Sequence, residues 1–205
     1  PNGEYPTIGI ATFNIAQRNL IKGKLNERKK VPQRFEEFNA KIEELEENGM
    51  FVKNLENIQG DERDVIILST TYGPKGDGTF AQRFGPINHS KGYKLLNVII
   101  TRAKYKVYVC SSIPESTFLS YKDFLITEGS NNRRAVFYAY LAYCKAVSEG
   151  NSDLRLGVLA ALSENSTSGT TFSINQFGEL ESPFEEEVFE RLINEFDESK
   201  VIPQM

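Results

Sequence analysis

The sequence is poor in the residues that many catalytic and metal sites use. Its 205 residues include one histidine, His89, and two cysteines, Cys110 and Cys144, far apart in the chain. With one histidine, catalytic triads and histidine-rich metal sites have little support, and the cysteines lack metal-ligand spacing. We therefore expect no metal site. We interpret His89 as a loop residue and the cysteines as reduced core residues of a cytoplasmic protein.

Long apolar runs and an excess of positive charge are also missing. No run reaches the length that a membrane span needs, and no signal-peptide pattern opens the chain, so no membrane partner is expected. The net charge of −4 argues against a strongly basic nucleic-acid binder, although a local basic surface can still contact a strand. The basic stretch from Arg18 to Arg34 is either such a surface or a solvated helix face.

Apolar segments alternate with helical patterns over the first 150 residues, which predicts an α/β layered fold. Asn14 is a helix N-cap candidate with Gln17 in capping-box position, and Asn48-Gly49 ends a second helix. The segment from Val65 is apolar on consecutive positions, as expected for a parallel strand covered on both faces. We predict strands at 7–13, 51–55, 65–71 and 106–111. We predict one helix from 14 towards 28, a second that contains Phe35 to Leu45 and ends at Asn48-Gly49, a third at 95–104 and a fourth at 131–148.

Composition changes after residue 150. The stretch from Asn165 to Thr171 is polar and of low complexity, so we interpret 151–180 as a linker. Ser182 and Pro183 then form a helix-start signal before an amphipathic stretch. Because the chain begins with Pro1 rather than methionine, we expect it to be a piece of a longer protein, with 181–205 as the truncated start of another domain.

The segment ENIQGDERDVIILS places four charges and a glycine immediately before a core strand. Gly60 lets its backbone approach a phosphate closely, and Gln59 and Glu62 are able to bind a sugar hydroxyl or order water. The segment therefore suits a nucleotide. An ordinary charged turn before a strand is the alternative interpretation.

Two further segments carry polar groups next to predicted strands. In LLNVIITRAKYKVYV, Arg102 and Lys104 interrupt an apolar run, and an arginine held there can stabilise charge on a transferring γ-phosphoryl group. In IGIATFNIAQR, Thr12 and Asn14 with the first helix amides form a site favourable to phosphate, including that of a nucleic-acid backbone. The alternative for the second segment is a capped helix and nothing more.

These three segments, in this order, resemble motifs IV, V and VI of the C-terminal RecA-like (P-loop NTPase-type) motor domain of superfamily 1 helicases. The resemblance covers roughly residues 8–112, with Q-G-x-E-x-D-x-I-I-L-S and L-N-V-x-x-T-R-A-K as its specific parts. It is closest to the branch of the RNA-surveillance and Dna2-like helicases. The segment SPFEEEVFERLINEF further resembles the first helix of a Vsr-like, restriction-endonuclease-like tail of large bacterial helicases, in which an acidic residue among 185–187 would match the nuclease fold.

The resemblance implies a role for each matching residue. Arg102 would be the catalytic arginine finger that faces the γ-phosphate, and Glu62 would contact the ribose. Asn97 and Thr101 would support the arginine's motif. The implied nucleotide-binding set is Gln59, Gly60, Glu62 and Arg102, and the implied nucleic-acid-binding set is Thr12, Asn14, Ser69 and Thr70.

The sequence has no G-x-x-x-x-G-K-[ST] loop, which would cradle the phosphates of ATP and ligate Mg²⁺. We therefore expect this loop in a motor domain upstream of Pro1, so that the chain alone is inactive as an ATPase and holds no cofactor. The full protein would use ATP and Mg²⁺ and travel on single-stranded DNA or RNA. Two alternatives stay open: a non-catalytic binding module for nucleic acid or protein, and part of a helicase-nuclease in DNA restriction or repair.

Overall fold

A computed structural model of the chain describes residues 6–30, 32–58, 60–89, 91–128 and 133–164. The chain divides into two compact units, Pro1–Pro114 and Glu115–Met205. The first unit contains one four-stranded sheet in which all neighbouring strands are parallel, in the order β2-β1-β3-β4. The predicted α/β layered fold of RecA-like, P-loop NTPase type is therefore confirmed.

The first half of this unit runs from the sheet's interior to its edge. Strand β1 (Ile8–Thr12) leads into helix α1 (Ile15–Lys29), and α2 (Pro32–Glu47) precedes the edge strand β2 (Phe51–Asn54). Asn14 caps α1 as predicted, because its side chain accepts a hydrogen bond from the Gln17 amide at 2.9 Å. Helix α2 ends as predicted, since Gly49 has a φ of +80°, which glycine adopts without strain.

The second half of the unit builds the other side of the sheet. Strand β3 (Arg63–Ser69) lies between β1 and β4, and a long loop with a 3₁₀ turn at Gly85–Asn88 connects it to α3 (Gly92–Ile100). Strand β4 (Ala103–Cys110) begins three residues earlier than predicted. The predicted helix at 95–104 is therefore too long, since its last residues, Ala103 and Lys104, belong to β4.

The two faces of β3 are covered unequally, contrary to the prediction that both would be fully covered. Ile66 and Leu68 are fully buried on one face, whereas Val65 and Ile67 on the other face are only half-buried. Val65, Ile67 and Ser69 pair in register with Lys106, Tyr108 and Cys110 of β4, which are all exposed. We call this surface, formed by Val65, Ile67, Lys106, Tyr108 and Cys110, the open face.

The two cysteines have different surroundings, and the prediction that both are core residues is wrong for Cys110. Cys110 is exposed, because alternate residues of β4 point to the open face. Cys144 is half-buried and its thiol is shielded, and this burial raises its pKa to about 12. Both thiols are free.

The described part of the second unit, 115–128 and 133–164, is helical, with α4 (Glu115–Phe118), α5 (Tyr121–Glu128), α6 (Arg133–Glu149) and α7 (Ser152–Glu164). Helix α6 supplies most of its buried side chains, including Phe137 and Tyr138, and the Tyr138 ring packs edge-to-face on Phe124 at 5.0 Å. Helix α7 occupies the first part of the predicted linker 151–180. The rest of that linker and the predicted tail 181–205 lie outside the described residues.

No described helix combines the length and the apolar character that crossing a membrane requires.

Candidate functional site

Three of the predicted nucleotide residues, Gly60, Glu62 and Arg102, lie near the amino ends of β3 and β4. Glu62 immediately precedes β3 and Arg102 immediately precedes β4, and Arg63 N donates a hydrogen bond to Arg102 O at 3.0 Å. This hydrogen bond links the amino ends of β3 and β4. The Arg102 Nη1 atom then lies 4.0 Å from the Glu62 Oε1 atom. The structure therefore brings the expected arginine and acidic residue together on one edge of the sheet.

The Arg102 side chain is held by the helix that precedes it. Its Nε donates to Val98 O at 3.0 Å, and one terminal nitrogen donates to the Thr101 hydroxyl at 3.3 Å. Thr101 in turn donates to Asn97 O at 3.0 Å. Thr101 thus contacts the arginine side chain directly. Among the residues that the structure describes, the buried Asn97 Oδ1 has no hydrogen-bond partner.

Gly60 lies in an exposed loop with a φ of +86°. A Cβ atom at this position would meet nothing within 4 Å, so the backbone conformation, not crowding, is what favours glycine here. The open space around Gly60 leaves room for a ligand to approach its backbone closely. Gln59, the other loop residue predicted to bind nucleotide, lies outside the described residues.

The other charges of the DERD segment have structural partners. Asp61 pairs with Lys53 at 2.5 Å. Arg63 donates from Nε and one terminal nitrogen to Gly49 O, at 2.9 and 2.7 Å, and so binds the end of α2. Asp64 accepts from both the amide and the hydroxyl of Thr7 at 2.8 Å. Glu62 is therefore the acidic residue of this segment that lies beside Arg102.

The predicted nucleic-acid residues lie at the opposite, carboxyl edge of the sheet. Strand β3 has seven residues, so Glu62 and Ser69 are separated by roughly 20 Å. Ser69 ends β3, and its hydroxyl accepts a hydrogen bond from the Gln17 side chain at 3.4 Å. Asn14, at the start of α1, is half-buried and uses its side-chain oxygen to cap the helix. The two edges thus carry separate sets of candidate residues.

Three residues of the carboxyl-edge set are buried, since Ser69 is only 9% exposed and the other two are enclosed completely. Thr12 and Thr70 are fully buried. The Thr12 hydroxyl donates to Asn14 O at 2.8 Å, and the Thr70 hydroxyl donates to the Ser111 hydroxyl at 3.1 Å. Asn14, which is half-buried, is therefore the most exposed of the four residues.

Sequence reasoning missed three residues at this edge. Gln17, predicted as a capping-box residue, instead donates a hydrogen bond from its side chain to the Ser69 hydroxyl. Arg18, read as part of a basic stretch, donates to Asn54 Oδ1 at 3.5 Å. Thr71 has a φ of +68°, and its hydroxyl accepts from Phe13 N at 3.2 Å. No local sequence signal distinguishes such a threonine from an ordinary strand-end residue.

The chemistry of the amino edge suits the phosphate and ribose of a nucleotide better than a metal ion. A guanidinium binds phosphate oxygens, and a carboxylate accepts hydrogen bonds from ribose hydroxyls. The described part of the chain contains no group of three His, Cys, Asp or Glu residues that could hold a metal. Arg102 and Glu62 thus offer a cation and a hydrogen-bond acceptor side by side at this edge.

Comparison with known proteins identifies the family. A family model described as an AAA domain matches residues 2–113. The uncharacterized ATP-dependent helicase MG140 of Mycoplasma genitalium is 31% identical over 153 residues, which are 74% of this chain and 13% of that protein. The MG140 homolog of Mycoplasma pneumoniae is 30% identical over 149 residues, which are 72% of this chain and 12% of that protein.

The chain thus spans about an eighth of the length of these curated relatives. No solved structure matches it. The family match covers both edges of the sheet and the whole of the first unit's strands, and it extends over more than half of the chain. The chain therefore belongs to the AAA domain family, in a form similar to part of two ATP-dependent helicases.

Proposed function

We propose that the chain is the C-terminal motor domain of an ATP-dependent superfamily 1 helicase of the RNA-surveillance and Dna2-like branch, with a Vsr-like nuclease tail beginning near residue 181. In this proposal Arg102 is the arginine finger for ATP hydrolysis. The observation that carries it is the placement of the Arg102 guanidinium beside Glu62 at the amino edge of the sheet, with Nη1 and Oε1 4.0 Å apart.

The contacts of Arg102 support this role. The Nε atom is bound to a backbone carbonyl of α3, so the side chain is directed before any ligand arrives. The separation from Glu62 exceeds hydrogen-bond length, so this ion pair is weak and an incoming phosphate can replace it. A pre-oriented guanidinium stabilises the charge that develops on a transferring phosphoryl group without further reorganisation.

The proposal assigns one half of an ATP site to this chain. Arg102 would face the γ-phosphate, while Glu62, with Gln59 and Gly60, would line the ribose side. The phosphate-binding loop and the Mg²⁺ ligands would come from the other motor domain of the same polypeptide, since this sequence has no such loop. Bound Mg²⁺ would neutralise phosphate charge during the transfer.

The opposite edge would contact a single strand of DNA or RNA. Asn14 and the amides at the start of α1 would present hydrogen-bonding groups there, and the buried Thr12, Ser69 and Thr70 would support them from inside. Strand β3 connects the amino edge with the carboxyl edge. Closure of an ATP cleft at the amino edge would therefore move the residues that contact the nucleic acid at the carboxyl edge. This coupling is the proposed basis of translocation.

The test is ATP turnover by the full-length protein with Arg102→Ala, Arg102→Lys and a control, Arg83→Ala, at an exposed loop position. The arginine-finger role predicts a loss of about 10³-fold or more in kcat for Arg102→Ala, with little change in ATP affinity and near-normal turnover in the control. Arg102→Lys should recover little, because a lysine lacks the planar fork. Unchanged turnover in Arg102→Ala would favour a non-catalytic binding module.

A companion measurement separates the nuclease alternative. Mg²⁺-dependent strand cleavage by the full-length protein that persists in Arg102→Ala would assign cleavage to another part of the polypeptide. The isolated 205-residue chain is expected to show no ATP hydrolysis. Substantial hydrolysis by the pure chain would contradict the half-site proposal.

A further inference from the structure

The open face directly continues the carboxyl edge. Cys110 pairs in register with Ser69, Tyr108 with Ile67, and Lys106 with Val65. Since alternate residues of a strand point to the same side, Lys106, Tyr108 and Cys110 share a face with Ser69, whose hydroxyl bonds to Gln17 of α1. Ser69 itself is buried, and Cys110, Tyr108 and Lys106 form an exposed row that starts beside it and leads away from the carboxyl edge.

The side chains of this surface are accessible and chemically distinct from the opposite face. Tyr108 is 50% exposed, and Lys106 is exposed beside it. The Lys106 Nζ lies 4.8 Å from the centre of the Tyr108 ring. The neighbouring Val107 and Val109 point to the other face and are half-buried. The outer strand thus presents an aromatic ring and a cation together on one side.

A ring with an adjacent ammonium group fits a single-stranded nucleic acid. Bases of any sequence stack on an exposed aromatic ring, and a lysine at the next alternate position can meet the backbone phosphate. The half-buried Val65 and Ile67 give the surface an apolar floor against which a base can lie. The chain as a whole carries a net charge of −4, so a local positive group on this face favours an anionic partner.

We propose that the open face binds the nucleotides of a single strand that follow those at the carboxyl edge, with a base stacked on Tyr108 and a phosphate at Lys106. The partner is single-stranded DNA or RNA. The inference rests on the proposed function, because it extends the proposed nucleic-acid-binding surface that begins at Asn14, near the buried Ser69. It adds a second contact area, on the outermost strand, to that surface.

The test measures binding of fluorescein-labelled oligo-deoxythymidine and oligo-uridine to the 205-residue chain by anisotropy over a series of salt concentrations. The variants are Tyr108→Ala, Tyr108→Phe and Lys106→Gln. Tyr105→Ala is the matched control: Tyr105 is on the same strand and is 82% exposed, but it lies in the irregular stretch between Ala103 and Lys106 and is not part of the paired open face. The two oligonucleotides distinguish a deoxyribose from a ribose strand.

Loss of stacking in Tyr108→Ala should weaken binding by roughly tenfold, while Tyr108→Phe keeps wild-type affinity. Lys106→Gln should reduce the slope of log affinity against log salt by about 0.7, the value for one phosphate contact on a single strand. Tyr105→Ala should bind as wild type. Oligonucleotides carrying 5-iodouracil should crosslink to the tryptic peptide that contains Tyr108, which trypsin separates from Tyr105 at Lys106.

Three results would overturn the inference: no binding of either oligonucleotide by the wild-type chain, equal weakening by Tyr105→Ala and Tyr108→Ala, or wild-type binding by both Tyr108→Ala and Lys106→Gln. The ATP turnover of Arg102→Ala in the full-length protein keeps the two proposals distinct. If that variant loses turnover while Tyr108→Ala binds normally, the helicase function stands and the open-face contact is excluded.

Discussion

Thr7 and Asp64 exchange three hydrogen bonds between the start of β1 and the start of β3. The Thr7 amide and hydroxyl both donate to Asp64 Oδ2 at 2.8 Å, and the Asp64 amide donates to the Thr7 hydroxyl at 2.9 Å. The hydroxyl is thus donor and acceptor at once. This pair fixes the register of two neighbouring strands at the edge where Glu62 and Arg102 lie.

The Thr7–Asp64 pair predicts a pH-dependent stability. The Thr7 amide, and after it the Thr7 hydroxyl, hold the pKa of Asp64 below its ordinary value. Because the folded-state pKa is depressed, the stabilisation is complete above the unfolded-state pKa near 4 and is lost as pH falls through the folded-state value. Asp64→Asn should therefore lower the free energy of unfolding by about 1 kcal/mol at pH 7 and by much less near pH 2–3.

Urea unfolding of the wild type and Asp64→Asn across this pH range measures the difference. Thr7→Val serves as the partner variant, since it removes the hydroxyl and keeps the side-chain volume. The double variant should be less destabilised than the sum of the singles, because the two residues share their bonds. A stability difference that stays constant from pH 7 to pH 3 would contradict the assignment to the Asp64 charge.

A second prediction concerns Arg63 of β3, whose side chain forms hydrogen bonds with the chain immediately after α2. Its guanidinium donates two hydrogen bonds to Gly49 O and lies over the Phe51 ring at 4.9 Å. Arg63→Ala removes both contacts and should cost roughly 1–2 kcal/mol of unfolding free energy. Arg63→Lys should recover part of this loss, because a lysine keeps the cation without the two-pronged geometry. Equal stability of the alanine variant and the wild type, measured by thermal unfolding, would refute this role.

The DERD segment shows how far sequence reasoning reaches at the site. This segment and the later T-R-A-K segment singled out Glu62 and Arg102, and the fold brings these two side chains to one edge. The sequence did not reveal that Asp61, Arg63 and Asp64 have partners in other elements, at Lys53, Gly49 and Thr7. A cluster of charges in the sequence is compatible with solvent exposure, with a ligand, or with partners elsewhere in the fold. The sequence does not distinguish these cases, because strand order, rather than proximity in the sequence, sets the partners of these side chains.

The fold itself could be predicted well wherever periodicity and turn signals agreed. The cap at Asn14 and the glycine end of α2 are examples. The exposure of Cys110 and Tyr108 could not, since an apolar run such as VYVC looks the same in a central strand and in an edge strand. Strand order is a tertiary property, and it decides which apolar residues face a neighbour.

A third prediction separates backbone strain from crowding at Gly60. A methyl group there meets nothing within 4 Å, but the φ of +86° is unfavourable for any residue with a Cβ atom. Gly60→Ala should therefore cost about 1 kcal/mol of unfolding free energy. Gly76→Ala is the control, because that position has equally open space. The control should be neutral or slightly stabilising, and equal losses in both variants would contradict the strain argument.

A fourth prediction concerns the entry to α3, the helix that orients Arg102. A Cβ atom at Gly92 would overlap the backbone carbonyl oxygen of Ile87, and Gly92 N donates to His89 O at 2.8 Å. A backbone carbonyl cannot move away by a change of rotamer, as a side chain can. Gly92→Ala should therefore lower the free energy of unfolding by roughly 3 kcal/mol or more. Gly23→Ala, inside α1 with open space around it, should instead stabilise by up to about 1 kcal/mol. Differential scanning calorimetry compares the two substitutions.

The last prediction tests Glu62 as the ribose contact of the proposed ATP site. A carboxylate that accepts a hydrogen bond from a ribose hydroxyl contributes only when that hydroxyl is present. In the full-length protein, Glu62→Ala should lower kcat/KM for ATP by about tenfold and leave kcat/KM for 2′,3′-dideoxyATP nearly unchanged. The comparison also isolates this contact from any effect on Arg102, which lies 4.0 Å away and would alter both substrates alike. Equal losses for the two nucleotides would show that Glu62 acts through Arg102 and not on the sugar.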